Sequence, residues 1–269
     1  MRVLAINDIS CIGKCSLSVS LPIISACGVT CDVIPTAILS THTGGFEGYT
    51  FRDLTDDIPS ILAHWKTLGV KFDFIYSGYL GSMEQIDLVS AIKKEFLAEG
   101  GKLIVDPVMG DNGKLYAGFT KAYVEKMRGL CREADYILPN VTEACYLLGI
   151  PYAEYMQETA QKLAELCPRP IVTGIHQNND ILVSYLDENG DLQTYSSENI
   201  AGFFCGAGDV FASAFVGALT RGKSEREAVG LAADFTTAAI RRSATEVPDK
   251  RYGLNFEAEI FTFLQKLNT

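Results

Sequence analysis

The residues best placed to do chemistry lie near the C-terminal end, where Phe203, Phe204 and Cys205 run into Gly206, Ala207, Gly208 and Asp209, followed by the apolar run Val210 to Leu219. Two glycines and an alanine allow a tight turn, and small and large apolar residues follow at helical spacing, so a buried helix is predicted to begin here. The first N–H groups of such a helix lack partners within it. With the positive end of the helix dipole they make a site for an anion, most often a phosphate oxygen. Asp209 then has two readings: a carboxylate that marks a helix start, or a general base held beside a phosphate cradle. The rest of the chain has to separate them.

Four further groups could carry chemistry, and each has a plain counterpart. Asn140 and Glu143 have capping-box spacing, yet an amide and a carboxylate at a strand end can equally hold the water shell of Mg²⁺ on a nucleotide. Asp106 and Asp111 flank a turn containing Pro107 and Gly110, where Asp is common for local hydrogen bonding; two acids beside another candidate Mg²⁺ ligand go beyond that. Thr43 lies in a polar, flexible loop, Ser40 to Gly45, which looks like a substrate-side loop. Tyr79 lies in the Ser77 to Gly81 turn; taken singly, Thr43 and Tyr79 are ordinary surface or packing residues. His42, His64 and His176 are too scattered for a metal triad. Gly217, Gly222, Lys223 and Ser224 spell GxxxxGKS, a literal phosphate-loop match, but that loop works only between a strand and a helix. Gly222 reads better as a helix stop and Ser224 as the next N-cap.

These residues are set on alternating elements. Val3 to Ile6 reads as a strand broken by Asn7, Asp8 and Ser10, with a helix ending at Gly28 and a second strand over Val29 to Thr36. A helix over Asp53 to Leu68, a strand over Phe72 to Tyr76, and a helix capped by Ser82 with Gln85 follow. Leu103 to Val105 and Tyr136 to Leu138 are strands, and a helix ends at Leu166. Pro170 to Thr173 is a further strand, and Ile181 to Leu186 with Leu192 to Tyr195 form a hairpin around Asn189 and Gly190. Ser224 with Glu227 caps a helix to about Arg241, and Phe256 to Leu267 is a last amphipathic helix. Alternating strands and helices predict a mostly parallel sheet covered on both faces, with ligands at the carboxyl ends of the strands. The candidate polar residues sit at those ends.

Composition narrows the class. With 269 residues, 48% of them hydrophobic, the chain can bury one sizeable α/β core. No stretch has the length of a membrane span and no signal-peptide pattern opens the chain, so a cytosolic protein is expected. A net charge of −10 speaks against a nucleic-acid surface, so an anion must be handled locally, by backbone dipoles or a metal. The eight cysteines form no CxxC pair, and their CxxxC spacings lack partners for zinc. They are expected as free thiols, most of them filling the core. Cys205 precedes the anion turn, where a helix dipole could lower its pKa; packing is the preferred account.

In order, SGYLGS (Ser77 to Ser82), DPVMGD (Asp106 to Asp111), PNVTEA (Pro139 to Ala144), VTG (Val172 to Gly174) and FFCGAGD (Phe203 to Asp209) resemble the vitamin B6 kinases. These are the pyridoxal/pyridoxamine kinases of the ribokinase-like (PfkB) superfamily, and the resemblance spans nearly the whole chain. GAGD and NxxE mark the superfamily, whereas SGYLGS, DPVMGD and the Ser-Thr-His-Thr loop mark the branch. The resemblance implies a single kinase domain over residues 1–269, a three-layer αβα sandwich with antiparallel edge strands, and a cytoplasmic homodimer. It implies Asp209 as catalytic base, with the amides of Gly206, Ala207 and Gly208 as the anion hole. Asn140, Glu143 and Asp106 would attend Mg²⁺, Asp106 and Asp111 the phosphates of ATP, and Thr173 and Gly174 the nucleotide. Ser10, Thr43 and Tyr79 would touch the pyridine substrate. Whether a monovalent cation such as K⁺ is required stays open.

In one place the pattern departs from the B6 kinases. Asn7, Asp8, Ile9 and Ser10 are more similar to the first loop of hydroxymethylpyrimidine kinases of thiamin synthesis, which keeps that substrate as an alternative. A non-catalytic B6 or nucleotide sensor is the alternative of another class, and the intact Asp209 and Glu143 count against it, because a binder has no need of a base.

Overall fold

The computed structural model describes residues 1–153 and 158–269. Its chain contacts gather into two units, one of Met1–Phe72 with Ile200–Thr269 and one of Asp73–Asn199.

The first unit opens with β1 (Arg2–Ile12), followed by α1 (Leu17–Ala26), β2 (Thr30–Thr41), β3 (Phe51–Asp53) and α2 (Ile58–Leu68). β1 and β2 are parallel, and β3 adds an antiparallel edge. β1 continues through Asn7, Asp8 and Ser10, which the sequence places in a turn. All three are buried, and the register against β2 shifts between Asn7 and Ile9. Such an irregularity re-aims side chains at a strand end. β2 likewise runs to Thr41, past the expected end at Thr36. α2 begins at Ile58, not Asp53, because Phe51–Asp53 pairs with Ala37 to Leu39 and Pro59 belongs in a first turn.

The second unit contains β4 (Phe72–Ser77, its first residue at the boundary), α3 (Met83–Phe96), β5 (Leu97–Val105), the small hairpin β6 (Gly110–Asp111) and β7 (Lys114–Leu115), and α4 (Lys121–Glu133). It continues with β8 (Tyr136–Ile137), α5 (Val141–Leu148), α6 (Thr159–Leu163), β9 (Ile171–Gln177), β10 (Asp180–Leu186) and β11 (Leu192–Glu198). β5 and β8 are parallel, and β9, β10 and β11 form an antiparallel meander. The second turn of the meander is the hairpin expected at Asn189 and Gly190. The first turn is not anticipated, because the strand expected to end at Thr173 runs on through Gly174 to Gln177. The helix expected to end at Leu166 is α6; residues 154–157 lie outside the described residues. Ser82 accepts from the Gln85 amide at 3.2 Å, but Gln85 Oε1 accepts from Gly81 N, so only half of that capping box forms.

The chain then returns to the first unit with α7 (Ala207–Thr220), α8 (Glu225–Glu246), short 3₁₀ turns, and α9 (Ile260–Leu267). α7 packs against α1 and α8. A Cβ on Gly217 would sit 2.4 Å from Cys27 Sγ, so this glycine allows close helix packing, and Ser224 with Glu227 forms the full capping box of α8. The GxxxxGKS match therefore joins two helices and is no phosphate loop, as the sequence suggested. The core of this unit is built on Leu4, Ile6, Ile23, Ile24, Ile34 and Phe215, all fully buried. Among the described residues no helix is long and apolar enough to cross a membrane.

Candidate active site

In the first unit the site is built on the start of α7. Gly206 is its N-cap, with φ 76°, and a Cβ there would stand 2.2 Å from the Lys14 carbonyl oxygen. Both the left-handed backbone and the close approach demand glycine. No side chain caps this helix, so its leading N–H groups are left for an anion. Gly208 is exposed and Ala207 half-buried, which keeps that end open.

Asp209 stands in the first turn but is not the cap. Its carboxylate accepts from Asn7 Nδ2 at 3.5 Å and from the Ser16 backbone N–H, groups on other elements. Burial, with the Asp8 charge adding, outweighs these bonds and pushes its pKa from the ordinary 3.8 up to about 6. Asp8 is itself buried, with its pKa raised by burial, and its Oδ1 accepts from Ser16 Oγ at 2.6 Å. Ser16 holds φ 54° and ψ −131°, an unfavourable backbone for a residue with a Cβ, and such strain persists only where the surroundings enforce it. Here Asp8 holds its hydroxyl while its N–H serves Asp209.

Ser10 is 3% exposed, and its hydroxyl faces the Asp8 carboxylate and the Cys15 thiol. Thr43 is exposed in the loop after His42. His42 pins that loop: Nε2 donates to the Arg251 carbonyl at 2.6 Å and Gly44 N donates to Nδ1 at 3.1 Å. No local pattern marks this role, which depends on a residue 209 positions away. Cys205 is buried, and burial pushes its thiol up to about 11, with Asp209 and Asp249 adding. The thiol is a packing group, as preferred from sequence, and the eight cysteines are all free.

In the second unit Asn140 caps α5. Its Oδ1 accepts from Glu143 N and Glu143 Oε2 accepts from Asn140 N, each at 2.9 Å, so the plain reading of this pair is realised in full. The pair does more than cap. Glu143 Oε1 accepts from Met109 N at 3.0 Å, and Asn140 Nδ2 donates to Gly110 O at 2.9 Å. Together they clamp the Asp106 to Asp111 segment onto the start of the helix. Burial raises the Glu143 pKa, opposed by these backbone N–H groups. Asp106 is buried with its N–H on Ser77 O at 2.8 Å, and Asp111 accepts from Asn112. Thr173 pairs with Asn140 through a parallel bridge, which sets Thr173 and Gly174 beside the clamp. Tyr79 is half-buried, its ring 5.8 Å from that of Phe119.

The structure thus brings Asp106, Asp111, Asn140, Glu143, Thr173 and Gly174 into one region of the second unit. In the first unit it gathers Gly206 to Asp209 with Asn7, Asp8 and Ser16, of which sequence reasoning had given no role to Ser16. Among the described residues no group of three or more His, Cys, Asp or Glu could cage a metal. Oxygen-only donors already engaged with backbone N–H groups fit an Mg²⁺ that keeps most of its waters and is carried on a nucleotide.

The sequence pattern of the phosphomethylpyrimidine kinases matches residues 21–254. The chain is 30% identical over 198 residues to the pyridoxine kinase of Bacillus subtilis (strain 168), which covers 70% of this chain and 71% of that one. The crystal structure of pyridoxal kinase from Lactobacillus plantarum matches with a TM-score of 0.92 at 31% identity, over 98% of this chain and 96% of its own. A Bacteroides thetaiotaomicron protein described as a phosphomethylpyrimidine kinase, crystallised with pyridoxal, matches with a TM-score of 0.91 at 35% identity, over 100% of this chain and 96% of its own. The chain belongs to the phosphomethylpyrimidine kinase family, and it is a B6-kinase-type member with the ribokinase-like fold.

Proposed function

We propose that this chain is an ATP-dependent kinase of vitamin B6, phosphorylating the 5′-hydroxymethyl group of pyridoxal, pyridoxamine or pyridoxine. The observation that carries the reading is Asp209, a carboxylate with a raised pKa in the first turn of an uncapped helix, bonded by Asn7 and Ser16 and not spent on capping. Phosphoryl transfer asks the protein for alignment and charge stabilisation. Asp209 accepts the hydroxyl proton, and the N–H groups of Gly206, Ala207 and Gly208 hold the phosphoryl oxygens. Ser10, Thr43 and Tyr79 meet the pyridine ring and its substituents. Asn140 and Glu143 fix the Asp106 to Asp111 segment at the Mg²⁺-nucleotide, with Thr173 and Gly174 beside it. Mg²⁺, when bound, neutralises charge on the phosphate oxygens.

The pyrimidine alternative is less favoured, since the pyridoxine kinase of B. subtilis and the pyridoxal-bound neighbour both point to B6. Residues 1–269 are taken as one kinase domain, a reading supported by a structural neighbour matched over 100% of the chain. We take it to act as a cytoplasmic homodimer without nucleic-acid or membrane partners, a reading that rests on the family resemblance and the net charge of −10. Incubation with Mg·ATP and pyridoxal is expected to release one ADP for each pyridoxal 5′-phosphate formed; ADP release without that product would refute the assignment.

Two further results are expected. Since the base works as a carboxylate, kcat should rise with pH through about 6 as Asp209 ionises and level off above it. A profile flat from pH 5 to 8 would remove Asp209 from the rate-limiting step. Glu143→Gln replaces one acceptor oxygen by a donor facing a backbone N–H. It should lower stability by about 1–3 kcal/mol and raise the Mg²⁺ concentration needed for half-maximal rate. A lower Tm with an unchanged Mg²⁺ titration would confine Glu143 to capping and clamping.

A further inference from the structure

The C-terminal end of α8 presents backbone carbonyls to a single cation. Lys250 Nζ donates to Ser243 O at 2.6 Å, Ala244 O at 2.7 Å and Val247 O at 3.1 Å, and it lies 5.6 Å from the centre of the Phe204 ring. Lys250 is half-buried. Its neighbour Asp249 is taken up by Arg251, at 2.7 Å. Convergent carbonyls at the negative end of a helix dipole are the donor set that suits a monovalent cation stripped of water. In this chain an ammonium group on a tether already fills it.

The residues after Lys250 connect this cage to the anion turn. Arg251 O accepts from His42, Tyr252 O accepts from Lys14 N at 3.0 Å, and Gly253 forms a bridge with Lys14. The Lys14 carbonyl in turn abuts Gly206, where no Cβ fits. The chain of contacts therefore runs from Lys250 through the 251–253 segment and Lys14 to the N-cap of α7. A lysine that only capped α8 would support that helix. Here the same side chain also anchors the segment against which the anion turn is built.

We propose that the Lys250 ammonium is a built-in monovalent cation that positions the Gly206 to Gly208 anion turn, so that the enzyme needs no K⁺. The cage does not fit a free K⁺ while Lys250 occupies it. The proposal rests on the kinase reading, and Lys250 is a positioning residue that acts through the 251–253 segment and Lys14.

The test compares wild type, Lys250→Ala and Lys250→Met in KCl and in tetramethylammonium chloride at equal ionic strength, reading ADP release and Tm. Wild-type kcat and Tm should be the same in both salts, within about twofold for the rate. Lys250→Ala should lose roughly 10- to 100-fold in kcat, the scale of a small misplacement of a catalytic group. KCl should restore much of that loss and raise the variant's Tm. Lys250→Met fills the cage with a side chain that leaves no room for an ion, and KCl should not rescue it. A wild type that needs K⁺, a Lys250→Ala variant with wild-type kcat, or a loss that KCl does not restore would each overturn the proposal. Absence of wild-type turnover would count against the kinase reading, and the Tm response of Lys250→Ala to KCl would still decide the cage.

Discussion

Asp209→Asn is expected to lower kcat by about 10²- to 10⁴-fold, the usual contribution of a general base, with the protein still folded. Asn keeps the shape of the side chain and one acceptor oxygen for the Asn7 and Ser16 donors, and it cannot take up the substrate proton. Stability should move the other way. The folded pKa of Asp209 is raised from 3.8 to about 6, so between these values the folded state holds the proton that the unfolded state has released. Its contribution to stability is present below about pH 4 and lost as pH rises through about 6. At pH 7 to 8 the ionised carboxylate is a cost to the fold, and Asp209→Asn should match or exceed the wild-type Tm there. Activity lost with Tm held or raised is the signature of a residue kept for chemistry. A variant with unaltered kcat would remove Asp209 as the base.

Gly206→Ala should damage both the fold and the reaction. The added Cβ meets the Lys14 carbonyl oxygen at 2.2 Å, and the residue would have to keep φ 76°. Backbone on backbone cannot give way as a flexible side chain can, so Lys14 or the start of α7 must shift. A stability loss of about 1–3 kcal/mol is expected from the strained backbone, with more if Lys14 cannot move. Displaced N–H groups no longer face the phosphoryl oxygens, and loss of one such donor costs roughly 10²- to 10³-fold in kcat. Denaturant titration and steady-state kinetics separate the two effects. Near-normal kcat in a folded Gly206→Ala protein would show that the α7 N-terminus does not bind the transferred group.

What the sequence could convey follows from the range of the forces involved. The glycine turn that opens α7, the Asn140 and Glu143 capping box and the Ser224 cap are written in residues a few positions apart, and all three form. The phosphate-loop match was dismissed on the same local grounds, and Gly217 against Cys27 supplies the reason for its glycine. Strand ends fared worse. Asn7, Asp8 and Ser10 are polar and read as a turn, yet they continue β1 because a neighbouring strand satisfies their backbone. Asp53 reads as the start of a helix because the pairing of Phe51 to Asp53 with β2 leaves no local trace.

The candidate site shows the same division. Asp209 could be singled out from the turn before it, but its partners Asn7 and Ser16 lie about 200 positions earlier in the chain. The left-handed backbone of Ser16 had no signal of its own, since serine gives no hint of positive φ as glycine does. The clamp from Glu143 to Met109 and the pin from His42 to Arg251 likewise join distant segments. Burial, which raises the pKa of Asp209 and of the Cys205 thiol, depends on packing that composition does not specify.

The most direct measurement is kcat/KM for ADP release with Mg·ATP and, separately, pyridoxal, pyridoxamine, pyridoxine and hydroxymethylpyrimidine, with Asp209→Asn as control. Turnover on B6 vitamers that disappears in the control is the expected result. Turnover on the pyrimidine alone would contradict the substrate assignment, and tight vitamer binding without turnover on any of them would make the protein a sensor.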